Sequence, residues 1–480
     1  MPLSAQKREQ LSAFLGGLPT ATAVKLFEAL EADRIASARN PRSPSLPHSE
    51  LLEDLRQRLL RKGARLPDRR ADARRLFFTP FEDFFIATRR GRKRPGLIPR
   101  ASLPAIWRLM MRDAALSEAA FAAASLDEAV IAGRPTDDLL RALFIAAEAG
   151  LARLCDAAIA EAGARQRLEA ALGGEAVFAD LQELRRLLSG VDFLIQLQSV
   201  IPAGAGGLKE DDLYALRDLF LSAHERSPKL AAFLLLALKG RLERPWSALA
   251  LYYHFARGAD ERLEAARDAA AALPEALFED LESLARALEK DGADADSFDA
   301  EAARLRVSWF ADYADGLAGQ AAKIGDNALV NRVEACRDVA AEAFERFCEL
   351  GLAGLRRAAP TRQSSGSSHL MAQRPDITAA LAPGVVSQAR EAAAMIALAP
   401  SLAGRLGAAA DIAAGIAEDA REKLKSYAND LVTEIRAAEG AERKTARTLL
   451  DQTLSIGEPL LDREEAGLIR DRAKTASLTV

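Results

Sequence analysis

The chain has 480 residues, 49% hydrophobic but only 6% aromatic, 28% charged, with three cysteines and a formal charge of −4. That length exceeds what one core usually supports, so two to four packed units are expected. Three widely spaced cysteines, Cys155, Cys336 and Cys348, argue against a disulfide framework and fit a reducing cytoplasm; with no run of 18 uncharged apolar residues, a transmembrane helix is not expected.

Much of the apolar content is Ala and Leu, side chains that lose little rotamer freedom in a helix, while the β-branched and aromatic residues favoured by strands are scarce. At the N-terminus Lys7 and Arg8 precede LSAFLGGLP, but Glu9, Gly16, Gly17 and Pro19 interrupt or flank the apolar stretch, so no secretory signal is expected. Residues 4–16 and 20–39 read as helices, and NPRSPSLPH ends the second. A short helix from Ser49 stops at Gly63.

The stretch Arg61 to Arg112 breaks the chain's habits. It holds fifteen Lys and Arg against four carboxylates, Asp68, Asp72, Glu82 and Asp83; that excess of eleven, set against −4 for the whole chain, leaves −15 on the remainder. It also holds the densest aromatic cluster, Phe77, Phe78, Phe81, Phe84 and Phe85, followed by Trp107. The pattern predicts a helix over Asp68 to Phe78 broken at Thr79-Pro80, an aromatic turn to Ala87, a loop ATRRGRKRPGLIPR, and a helix capped by Ser102. Helical FF-x-x-F-x-x-FF spacing points to core packing for the phenylalanines rather than to a base-stacking platform. Gly91, Pro95 and Gly96 keep the loop out of a helix and would display its cations.

Ser125 and Glu128 match the capping-box pattern, and Thr136 opens a long helix towards Leu172, ended by Gly173-Gly174. PAGAGGLK is a turn, and from Glu210 to Lys290 short helices are punctuated by Ser227-Pro228, Pro245, Gly258 and Pro274. DGADADS, Asp291 to Ser297, reads as an acidic linker, followed by helices from Phe298 to Lys323 and Asp326 to Ala358. TRQSSGSSHLMAQRPD, Thr361 to Asp376, reads as an exposed connection. Beyond it Ile412, Ile416, Ala420, Leu424, Tyr427, Leu431 and Ile435 recur at three and four, the stripe of a helix of about 35 residues that could also serve a coiled-coil-like contact.

Catalytic signatures are missing from the sequence. GAGG at Gly204 to Gly207 lacks the Lys-Ser/Thr continuation of a phosphate loop, and there is no Gly-x-Ser-x-Gly elbow. Of His48, His224, His254 and His369, none has a second ligand at i+3 or i+4, so no metal or cofactor site is expected. His254, beside Tyr252, Tyr253 and Phe255 and followed by Arg257, reads as a packed or helix-ending histidine, and Trp246 as packed inward after a helix stop at Gly240.

The fold expected is all-α, built of stacked antiparallel helical hairpins with long C-terminal helices. Its parts would be an N-terminal unit, 1–125, a central hairpin region, 126–290, a long-helix region, 297–359, and an Ala-rich region, 377–480, joined through the linker 361–376. The function expected is a cytoplasmic, non-enzymatic scaffold or adaptor binding another macromolecule, foremost an acidic protein. The alternatives are a binder of nucleic acid or of an anionic membrane surface, and an enzyme of unrecognised type. The candidate binding residues are Arg89, Arg90, Arg92, Lys93, Arg94 and Arg100. Oligomerisation through the C-terminal helix is a further expectation.

Overall fold

A computed structural model describes residues 22–27, 29–30, 51–52, 55, 72–87, 93–257, 261–292, 298–323, 325–363, 373–407 and 409–478. The fold is all-α: from Ala73 onward the described residues form twenty α-helices, with two small two-stranded sheets. No described helix is long and apolar enough to cross a membrane. The chain divides into two compact units that interleave in sequence. One holds residues 1–205, 209–242 and 259–270, the other 206–208, 243–258 and 271–480.

In the first unit, α1 (Ala73–Phe78) runs into a 3-10 turn (Thr79–Phe84) and strand β1 (Phe85–Ile86), which pairs in parallel with β2 (Ile98–Pro99). Asp72 caps α1 by accepting from Arg75 N, and Pro80 suits the start of the tighter turn. Then come α2 (Leu103–Arg112), α3 (Ser117–Ala132), α4 (Asp137–Ala160), α5 (Ala162–Leu172), α6 (Glu175–Leu188), α7 (Val191–Val200), α8 (Glu210–Arg226) and α9 (Pro228–Arg241). The hairpins α3/α4 and α8/α9 are closed by short connections, and α4, α5 and α6 pack in succession. Phe77, Phe81 and Phe84 are fully buried, and Phe77 meets Trp107 at 5.7 Å and Phe144 at 5.6 Å between ring centroids. Four of the five phenylalanines of the basic stretch, Phe77, Phe78, Phe81 and Phe84, thus belong to this core. Ala23, Phe27, Leu52 and Leu55 form a smaller buried cluster.

Three local expectations change. Ser125 and Glu128 lie inside α3, which begins at Ser117 after a turn opened by Asp113, whose carboxylate accepts from Ala115 N. The long helix towards Leu172 is two helices, because Glu161 is extended at φ −129° and ψ 120°. Ser102 stands at the start of α2 but does not cap it, since its hydroxyl donates to a buried carboxylate instead. The stop at Gly173-Gly174 is real, both residues taking positive φ that only glycine adopts freely.

The second unit contains a 3-10 turn begun by Pro245 (Pro245–Ala248), α10 (Leu249–Arg257), α13 (Ala272–Asp291), α14 (Ala300–Ala322) and α15 (Asn327–Arg357); α11 (Glu261–Ala265) and α12 (Arg267–Ala270) belong to the first. After α15 come β3 (Thr361–Gln363), β4 (Gln373–Pro375), α16 (Pro383–Ile396), α17 (Ala399–Leu406), α18 (Ala409–Ala437), α19 (Gly440–Gly457) and α20 (Arg463–Leu478). Asp299 and Asp326 cap the α14/α15 hairpin, accepting from Ala302 N and Leu329 N. The ends of the Thr361 to Asp376 stretch pair as antiparallel strands on α18; Arg362 and Arg374 both reach the buried Glu434, and Tyr427 Oη donates to Pro360 O at 3.0 Å. Residues 364–372 of that stretch lie outside the described residues. The α18 stripe from Ala420 to Ile435 is buried against its own unit, whereas Ile412 is exposed.

Candidate functional site

The basic segment is tied down by carboxylates of its own unit. Lys93 Nζ lies 2.8 Å from Asp180 Oδ1 and 2.7 Å from Glu183 Oε2, and donates to Leu97 O at 2.7 Å. Glu183 also accepts from Gly96 N, and Asp180 from Ser102 Oγ at 2.7 Å. Asp180 and Glu183 are 0% and 5% exposed. Three residues apart on α6, they lie on neighbouring positions of one face. The turn that delivers Lys93 depends on Pro95, which fixes its own φ, and on Gly96 at φ 77°, where an added Cβ would also stand 2.8 Å from Leu236 Cδ1. The ammonium thus offsets the cost of placing two carboxylates in a low-dielectric interior.

A second cluster holds the preceding turn. Arg241 Nη1 donates to both Asp83 oxygens at 3.1 and 3.0 Å, its Nε donates to Ile201 O, and Gln198 Nε2 donates to Pro80 O and to Asp83. Arg100 pairs with Glu82 and lies over the Phe85 ring, and its hydrogen bond to Glu82 raises its already high pKa. Of the six candidate cations, Lys93 and Arg100 are therefore engaged internally, and Arg94 is half-buried and has partners of its own. Arg89, Arg90 and Arg92 lie outside the described residues. The expectation that the loop displays Lys93 is corrected: the sequence alone hid the acids that reach it. A signal existed, because Asp180 and Glu183 precede Leu184 and Leu187 by four and so fall on the apolar stripe of α6.

In the second unit, Tyr252, Tyr253 and His254 follow one another on α10. Tyr253 is buried with no hydrogen-bond partner for its hydroxyl, and burial, with Asp326 second, pushes its pKa up to about 12. Tyr252 packs edge-on against it at 5.5 Å, and His254 is half-buried on α10. The side chain of Arg257 lies outside the described set. Among the described residues no group of three or more His, Cys, Asp or Glu is placed to hold a metal ion. All three cysteines are buried and outside any disulfide, and burial pushes Cys348 up to about 12.

Two large apolar side chains of this unit face outward on α14. Trp246 lies against Gly316, where an added Cβ would come 2.2 Å from the indole Nε1, so the missing side chain makes the indole's seat. Trp246 meets Trp309 at 5.7 Å and Tyr313 at 5.4 Å, tilted and edge-on. Trp309 is nevertheless 39% exposed, and Leu305, one turn earlier on the same face, is 57% exposed. The opposite stripe of α14, Val307, Phe310, Ala314, Leu317 and Ala321, fills the core. This helix therefore carries apolar side chains on its outer face as well as on the face that fills the core. Sequence reading missed the outer face because a Leu and a Trp four apart carry the same period as a core stripe. The inward placement expected for Trp246 is half met, since it is seated on Gly316 but only half-buried.

Compared with known proteins, the chain matches no protein-family model, no curated protein and no solved structure.

Proposed function

We propose that this chain is a non-enzymatic helical scaffold or adaptor that binds another protein, with Leu305 and Trp309 of α14 as anchors. The observation that carries the reading is the outward pair itself, backed by Trp246. Large apolar side chains held rigidly at i and i+4 are the form in which helix-borne contacts concentrate binding energy, and tryptophan is the residue most enriched among such anchors. Three buried cysteines outside any disulfide suit a reducing cytoplasm.

Leu305→Gln tests the reading without disturbing the aromatic stack. The proteins retained by the tagged wild-type chain and by the variant would be compared quantitatively. Loss of at least one partner at unchanged melting temperature is the expected result, and an identical set of retained proteins would contradict it.

A second reading has an acidic protein, nucleic acid or an acidic phospholipid surface bound through Arg89, Arg90 and Arg92. It is favoured by the excess of eleven positive charges between Arg61 and Arg112. Contacts of that kind release counterions and so weaken steeply with salt. Neutralising Arg90 and Arg92 together would reproduce the effect of high salt on such binding, and salt-independent binding would rule the reading out.

A further inference from the structure

The second unit contains a cleft of about 550 Å³ where the start of α14, the last turns of α15 and the first turns of α16 meet. Its size lies within the range of clefts that take a ligand or several side chains of a peptide. The floor is apolar, and the space is open because the facing residues are small: Gly351, Gly354, Ala389 and Ala392 line it together with Leu350 and the ring of Phe298, which leans on Phe347 at 5.5 Å. An added Cβ at Gly354 would meet only the Ala392 Cβ, at 3.9 Å, so open space lies above this position.

The rim is polar and unequal in charge. Asp299, Glu301 and Glu391 stand against Arg357, three carboxylates to one guanidinium, hence −2. One Asp299 oxygen is engaged by Ala302 N, at the helix cap. Glu301, Glu391, Gln388 and Arg357 have no hydrogen-bond or ion-pair partner among the described residues. Elsewhere in this unit Arg306, Arg337 and Arg405 are paired with carboxylates. Acids next to an apolar floor, with no internal cation to meet, complement a ligand that is apolar along one edge and cationic along the other.

We infer that this cleft docks a basic, apolar-anchored peptide segment of a partner protein. The inference rests on the adaptor reading but uses a different surface. Apolar side chains of the segment cover Phe298, Leu350, Ala389 and Ala392, and its Lys or Arg side chains reach Glu301 and Glu391. A bare polyamine satisfies the acids yet leaves the floor wet, and an apolar peptide without cations leaves the acids without a countercharge, so only a segment carrying both fits. Because the rim carboxylates are solvated, they set partner choice and association rate more than total affinity.

The test uses the full chain and three probes: a fluorescein-labelled twelve-residue Leu/Lys amphipathic peptide, the same peptide with Glu for Lys, and spermidine as competitor. Anisotropy would be read on the wild type, on the pair Glu301→Lys and Glu391→Lys, and on Gly354→Leu, whose side chain fills the cleft. Expected are binding of the Lys peptide, weakening of about tenfold or more in the charge-reversed pair, loss in Gly354→Leu, and no change in Leu305→Gln. Melting curves show that each variant is folded, and Gly354→Ala keeps the cleft open if the Leu variant unfolds; it should bind as wild type does. Equal binding of the Glu peptide, full displacement by spermidine at the peptide's own concentration, or undiminished binding to folded Gly354→Leu would overturn the inference. Should these results fail while Leu305→Gln still loses its partner, the cleft falls and the adaptor reading stands; the reverse pattern removes the α14 surface and leaves the cleft.

Discussion

The basic segment of the first unit and the α14 face of the second make an instructive pair. Arg61 to Arg112 is the most conspicuous stretch in the sequence, yet Lys93 and Arg100 within it turn to carboxylates of their own unit. Residues 300–322 look like ordinary core helix, yet they hold a tryptophan and a leucine out to solvent. Local composition reports how much charge or apolar surface a stretch carries; which way it faces is decided by residues more than eighty positions away, as with Lys93 and Asp180. The difference between the regions can be broken or sharpened by experiment.

The largest effect is expected at Lys93. Lys93→Met removes the ammonium that Asp180 and Glu183 share in the interior and should cost about 3–5 kcal/mol. Adding Asp180→Asn and Glu183→Gln to the same chain should return much of it, as neutral groups tolerate the interior better than orphaned charges. Denaturant unfolding of the single and triple variants checks this. Equal stability of wild type and Lys93→Met would mean that the loop is displayed after all.

Gly316→Ala should have a smaller effect of the overpacking kind. The added methyl strikes the Trp246 indole, which costs about 1–3 kcal/mol, while alanine's better helix propensity returns about 1 kcal/mol. A net loss with a shifted tryptophan emission is expected. Unchanged emission and a raised melting temperature would show that Trp246 is not seated there.

The smallest effect is expected on the surface of the second unit. Glu465 accepts from Lys425 and Arg421, which hold its carboxyl down at about 2. A depressed carboxyl contributes stability that is present above the unfolded value near 4.3 and is lost as pH falls from there towards about 2. The group is solvated, so Glu465→Gln should only flatten the acid limb of the stability curve slightly, and salt should do the same. A large loss at neutral pH would contradict the contrast between these surface pairs and the buried Lys93 cluster.

Much of the all-α fold was legible because its determinants are local. The start of α15 at Asp326, the break at Thr79-Pro80, the stop at Gly173-Gly174 and the start of α9 at Pro228 follow from single residues and their neighbours. The site was less legible. Ser102 has the right type and position for a cap, but its hydroxyl is diverted to Asp180 by tertiary structure. The break at Glu161 has no Pro to announce it, and Gly316 shows its purpose only once Trp246 is seen above it. What the sequence did offer, and what goes beyond propensity, is polarity out of phase: acids on the apolar stripe of α6, and a second apolar stripe on α14.

The most direct measurement pairs Lys93→Met with Leu305→Gln and reads melting and partner capture on both. Lys93→Met should melt well below the wild type and, at a temperature where it is folded, capture the same partners. Leu305→Gln should melt with the wild type and lose capture. If instead Lys93→Met keeps its stability and loses capture while Leu305→Gln keeps its partners, the cations are the binding surface and the account is wrong.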